Sequence, residues 1–228
     1  MLGVPASAGL GVPDPPSSQS LDRVRRSLTC DVQTFQSVHM TKRQQGTLSP
    51  TLWRTCRVLA NRVRLRMLGV LFARGELPVS ALADTVGVST ALASVYLRAL
   101  GARGLLAARR DGPWVFYRPT ADPSVRGAAE LSQAIGKAFA RRPGQAETIF
   151  RQATAFTHPR RLRIVQTLAR GAMTTEVLAR RTAINRFALR RHLAKLVRRG
   201  FVKETAGTWR LARPREPLAA TLLRLACE

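Results

Sequence analysis

Arg186, Arg190, Arg191 and Lys195 lie in the stretch NRFALRRHLAKLVRRG, whose Leu189, Leu193 and Leu196 recur at helical spacing. With those leucines inward, the helix turns Arg186, Phe187, Arg190, Arg191 and Lys195 outward. Guanidinium and ammonium groups arranged in this way make charge-assisted hydrogen bonds to phosphate oxygens. An arginine can also bind the acceptor edge of a guanine with two such bonds. A merely solvated face is the bland alternative. Six basic residues within fourteen positions, Arg186, Arg190, Arg191, Lys195, Arg198 and Arg199, point instead to a polyanionic partner, and His192 is placed with them.

A comparable stretch, TALASVYLRALGARG, puts Ala93, Leu97 and Leu100 inward and Thr90, Ala91, Ser94, Val95 and Arg98 outward. It either reads a duplex through Thr90, Ser94, Tyr96 and Arg98 or is a copy used for packing. Arg109, Arg110 and Arg118, in the hairpin that follows, are candidate phosphate contacts, and so is Arg210 in a later hairpin.

Other chemistries lack their residues. Cys30, Cys56 and Cys227 are scattered and odd in number, with no metal-spaced pair. They suit a reducing compartment better than a disulfide scaffold. Cys56 falls on an apolar helix face and reads as core. His39, His158 and His192 are isolated, and read as caps, helix-surface or DNA-facing residues rather than ligands. No glycine-rich phosphate loop, nucleophile elbow or carboxylate pair stands out, so the chain reads as no enzyme and as needing no cofactor.

The chain has 228 residues, with 38 Lys+Arg against 13 Asp+Glu and a formal net charge of +25. Arginine dominates the basic set, a skew that a GC-rich genome also produces. The excess over acids still exceeds what a mixed-sign surface needs, and it favours nucleic acid. The longest apolar run, about Met67 to Ala73, is far short of a membrane span. The first residues carry no secretory pattern. A cytoplasmic, nucleoid-associated protein is therefore expected.

Positioning those side chains requires an ordered series of elements. Residues 1–46 are rich in Gly, Pro and Ser and read as a disordered tail. Met40, just before the helical pattern begins, is an alternative start to Met1. From there the pattern predicts a helix capped at Ser49-Pro50, with Trp53, Cys56, Val58 and Leu59 on one face. A second helix follows Asn61, with Val63, Met67, Val70 and Leu71 inward. A short helix around SALADTV and a longer one capped by Ser89 and ended by Gly104 come next. The period then changes to 2 in LLAARR and PWVFYR, with a turn predicted at Asp111-Gly112. Asp122-Pro123 is expected to open a connecting helix.

The same order then recurs. A first helix spans GQAETIFRQATAF, and His158-Pro159 starts the second. Thr175 is expected to cap the third and Asn185 the fourth; a hairpin turns at Ala206-Gly207, and a last helix follows Pro217. Identities support a duplication. RLR at 64–66 matches RLR at 161–163, and Leu97, Leu100, Arg103 and Gly104 match Leu193, Leu196, Arg199 and Gly200. Trp114 is matched with Trp209, and both are expected in a core or hairpin-packing role, with contact to nucleic acid as the alternative. The expected fold is mainly α with small β-hairpin wings, as tandem winged helix-turn-helix domains. The boundaries are 47–122 for the first, 123–143 for the connecting helix and linker, and 144–228 for the second.

The stretches LANRVRLRMLGVLFARGELPVSALADTVGVS, LRALGARGLL and RRDGPWVFYRP resemble the ArsR (arsenical-resistance repressor) family of winged-helix regulators. HPRRLRIVQTLARG and RRHLAKLVRRGFV carry the likeness in the second unit. That resemblance implies double-stranded DNA as partner and a metal-sensing thiolate pair on the short helix. Here Pro78 and Ser80 occupy the thiolate region and AMTTEVLA holds no Cys, so no metal site is expected. The first and last helices of each unit are those that pair subunits in the family, which implies an intramolecular pseudodimer, with homodimerisation open. A protein-interaction scaffold and an RNA-binding protein are the rival functions.

Overall fold

The computed structural model describes residues 52–141 and 144–228. The expected tail, Cys30, His39, Met40, the Ser49-Pro50 cap and Arg142-Pro143 lie outside them. The first half runs α1 (Leu52–Leu59), α2 (Arg62–Arg74), β1 (Leu77–Pro78), α3 (Val79–Val86), α4 (Thr90–Gly101), β2 (Ala107–Asp111), β3 (Trp114–Arg118) and α5 (Ala128–Arg141). The second runs α6 (Ala146–Ala153), α7 (Pro159–Leu168), α8 (Thr175–Thr182), α9 (Arg186–Arg198), β4 (Val202–Thr205), β5 (Thr208–Leu211) and α10 (Pro217–Cys227). Each half is therefore a helix-turn-helix followed by an antiparallel wing, and then one closing helix.

Local chemistry sets most boundaries. Asn61 and Ser89 accept from the backbone N–H of Arg64 and Leu92, and so start α2 and α4. The Asn185 side chain does the same for α9 through Ala188 N–H, at 2.8 Å. His158 Nδ1 accepts from Arg160 N–H at 3.1 Å, and Pro159 takes the first helical position of α7. The cap of α8 is Thr174, one residue before the expected Thr175. The connecting helix also starts later than expected. The Asp122 carboxylate is spent on Ser124 N–H and Oγ, which makes a turn, and α5 begins only after Gly127. α4 ends at Gly101, and Gly104 follows in the turn beyond.

Two features of the first wing differ from the sequence reading. The loop is Gly112-Pro113 rather than Asp111-Gly112, because Asp111 pairs with Trp114 across the strands. β1, with only two residues, adds a third strand against β3 through Leu77↔Tyr117 and Pro78↔Phe116. The second half has the counterpart of that pairing as a single bridge, Met173↔Trp209. Trp209 therefore holds the place of Tyr117, not of Trp114. Trp114 stands at the tip of a longer wing and is 57% exposed, so its expected packing role is withdrawn.

The core runs through both halves. Leu65, Met67, Leu68 and Leu71 are the buried residues of α2, whereas the expected Val63 and Val70 are only half-buried. The face is turned because α2 packs on α5 and α6 as well as on its own half. Between α2 and α5, Gly69 lies under Phe139 and Gly136 under Phe72. A Cβ would come within 3.0 Å of Phe139 and 2.9 Å of Phe72, so these glycines set the close approach of the two helices. Arg62 reaches α6, pairing with Glu147 at 2.9 Å while lying 4.1 Å from the centroid of the Phe150 ring. α10 packs on α5, α6 and α7, and Arg224 joins it to Glu130. In α1, Cys56 is fully buried and Trp53 half-buried, with the guanidiniums of Arg54 and Arg57 over its ring. Among the described residues no single helix is long and apolar enough to cross a membrane.

Candidate nucleic-acid interface

The α9 helix places its side chains as its leucine spacing requires. Leu189, Leu193 and Leu196 are buried, and Arg186, Phe187, Arg190, Arg191, Ala194 and Arg198 are exposed. Its thirteen residues give a rod about 20 Å long, and a helix is what a major groove admits. Arg186 also lies 3.7 Å from Glu176, in the first turn of α8. Among the described residues no carboxylate pairs with Arg190, Arg191 or Arg198. Phe187 is 84% exposed between these cations, an unusual place for a large apolar ring unless something covers it.

Lys195, expected outward, is half-buried, and two further residues grouped with that face lie at its edge. His192 is half-buried, because its ring packs against His158 with centroids 4.8 Å apart. Burial first, then the charges of His158, Arg161, Arg160 and Arg191, lowers its pKa to about 4. Arg199 turns back to the core side, where Nε donates to Thr154 Oγ1 at 3.0 Å. The spacing alone did not reveal these departures, since both residues sit on the flanks of the leucine stripe and only the neighbouring α6–α7 region decides their direction.

Between α9 and the start of α7 is a basic depression of about 520 Å³, which includes Arg160, Arg161, Arg191, Lys195 and Arg198 with the two histidines. Arg161 is anchored below it, donating to Ala155 O and to Thr157 Oγ1. Lys195 is held below the usual lysine range, first by partial burial and then by Arg199, Arg198 and Arg161. Cations crowded in this way gain free energy when an anion arrives. Leucine spacing in α9 does not point to Arg160 and Arg161; the HPRR start of α7 is the signal in the sequence that does.

In the first half, α4 buries Ala93, Leu97 and Leu100 and exposes Thr90, Ala91, Val95 and Arg98, with Ser94 half-buried. Arg98 Nε donates to Ser94 O at 3.4 Å. Tyr96 is half-buried against the core, with the Arg64 guanidinium 4.7 Å from its ring centroid, so it flanks the outward face rather than belonging to it. The two groove helices thus differ in kind. α4 exposes Leu92 and Val95, 38% and 49%, with Arg98 as its one exposed cation, whereas α9 exposes Arg186, Arg190, Arg191 and Arg198 beside Phe187 and Val197.

The wings differ as well. Arg109 pairs with Glu76 at 2.8 Å and Asp111 at 3.0 Å, so two carboxylates already occupy it. Arg110 and Arg118 are exposed. In the second wing Lys203 faces Arg210 across the strands, two like charges side by side, and Arg210 Nε donates to Thr205 Oγ1 at 3.1 Å. Among the described residues no three His, Cys, Asp or Glu side chains gather in a way that could hold a metal ion.

Comparison with known proteins adds to this geometry. A family model described as a helix-turn-helix domain matches residues 156–205, which run from just after α6 to the end of β4. The HTH-type transcriptional regulator Rv0324 of Mycobacterium tuberculosis (strain ATCC 25618 / H37Rv) is 40% identical over 73 residues, 32% of each chain. The match thus spans about a third of the length of that curated relative. The chain carries a helix-turn-helix domain of the winged type, and α9 is its second helix.

Proposed function

We propose that the protein is a DNA-binding transcriptional regulator whose two halves are tandem ArsR-like winged helix-turn-helix domains. In this reading α9 enters the major groove, with Arg190 and Arg191 on phosphate or guanine and Phe187 against thymine methyl groups. The β4–β5 wing and the depression beside α7 hold the backbone. The observation that carries the reading is the outward face of α9, where among the described residues Arg190, Arg191 and Arg198 have no carboxylate partner around an exposed Phe187.

The first half acts mainly as a packing partner, because α4 exposes a single cation, Arg98, and Arg109 is already paired. The two halves form an intramolecular pseudodimer, supported by α1 and α2 packing on α6 and by α5 packing on α10. The family's thiolate site is lost with Pro78, Ser80 and AMTTEVLA, so soft metals do not regulate binding through α3 or α8. The protein works in the cytoplasm, associated with the nucleoid.

Selection of bound sequences from random duplex DNA tests the reading. One enriched half-site is the expected result. No enrichment, with affinity independent of salt, would favour a protein scaffold, and preferential capture of structured RNA would favour RNA binding.

A further inference from the structure

One concavity lies away from the groove face of α9. It has a volume of about 690 Å³ and lies where α5, α6 and α10 meet, with Lys137, Arg141, Arg151 and Arg199 among its lining residues. Among the described lining residues Glu216 is the sole carboxylate, and Arg141 takes it at 3.6 Å. Among the described residues no carboxylate pairs with Lys137, Arg151 or Arg199. A second observation has the same sign. The cavity includes Pro217 and Leu218, in the first turn of α10; Pro217 has no N–H, but the N–H groups that follow have no side-chain cap and add positive potential, offset in part by the N-cap residue Glu216. Ala134, Ala138 and Leu218 supply apolar wall. The volume is that of a small-molecule site.

We propose that this cavity binds a small organic anion, with its charged end held among Lys137, Arg151 and Arg199 and its apolar body against Ala134, Ala138 and Leu218. The site is separate from the proposed DNA surface, and its occupancy can be measured without DNA. Three features combine there: cations unmatched by carboxylates, an uncapped helix N-terminus and an apolar wall. An inorganic ion would use the charge and leave the wall wet, whereas an amphipathic carboxylate uses both.

The test is calorimetric titration of the full-length protein with 2-naphthoate, and with 2-naphthamide as the neutral counterpart of equal size. A ligand of this size in such a site should bind with a Kd of about 1 mM or tighter, and the amide should bind at least about tenfold more weakly, since the charge is what the site selects. Lys137→Gln with Arg151→Gln changes two exposed side chains and should weaken naphthoate binding while leaving the melting temperature unchanged. Ala138→Leu, which fills the wall, should weaken it too. Absence of saturable binding would overturn the proposal. So would equal binding of acid and amide, or binding that neither variant alters.

Discussion

Trp209 Nε1 donates to the Thr175 hydroxyl at 2.9 Å, and its backbone exchanges hydrogen bonds with Met173 at 2.7 and 3.0 Å. The base of the second wing is thus tied to the first turn of α8, the helix that braces α9. Trp209→Phe keeps the ring contact and loses the donor, leaving Thr175 able to turn to water. The expected loss is about 1 kcal/mol in urea unfolding. A loss below the error of the measurement would mean that the bond contributes nothing.

Ala183 ends α8 with φ 51°, in the left-handed region, where Gly87 ends α3 with φ 72°. A Cβ in that region is strained, and glycine is the residue helices favour there. Ala183→Gly should therefore stabilise the protein by roughly 0.5–1 kcal/mol, read as a higher urea midpoint at unchanged slope. A lower midpoint would show that the extra freedom of the unfolded chain outweighs the relief of strain.

The two groove helices were legible in the sequence because three apolar residues in each recur at helical spacing beside a capping Ser89 or Asn185. What was not legible depends on partners distant in sequence. Leu77–Pro78 is too short to show a period, and it becomes a strand only because β3 offers its edge. Trp114 and Trp209 align by identity, yet the longer first wing carries one to the tip and keeps the other at the base. His192 is drawn to the edge of its face by His158, thirty-four residues earlier. The inward face of α2 is turned by α5 and α6, which no local pattern announces.

The histidine pair makes stability depend on pH. His158 is also lowered, first by burial and then by Arg161, Arg160 and Arg57. An unfolded histidine takes up its proton near pH 6.5, while folded His192 resists until about pH 4. The unfolded chain therefore binds more protons across that interval, and stability present above pH 6.5 is lost as the pH falls through it. His192→Gln should lose less stability than the parent between pH 7.5 and 4.5 in urea melts. Equal losses would show that His192 contributes nothing to the acid sensitivity.

Phe187 exposes 84% of its surface, so Phe187→Ala should change stability by no more than about 0.5 kcal/mol. On duplex DNA the same variant should bind more weakly and lose preference at one thymine-bearing base pair, because the ring's proposed contact is a methyl group. Competition among duplexes altered one pair at a time reads this directly. Unchanged affinity and preference would remove Phe187 from the interface.

The central claim is that α9, not α4, supplies affinity for DNA. Its most direct test is the salt dependence of duplex binding by the parent, by the variant with Arg186, Arg190 and Arg191 all changed to Ala, and by Arg98→Ala. Circular dichroism and melting temperature should match across the three proteins. If all three arginines neutralise phosphates, the slope of log K against log salt should fall by about 0.9 for each one removed. An arginine that reads guanine would instead cost roughly 1–3 kcal/mol and relax preference at one base pair. Arg98→Ala should do much less. Normal binding by the triple variant, together with an equal or larger loss from Arg98→Ala, would contradict the account and move the reading helix to the first half.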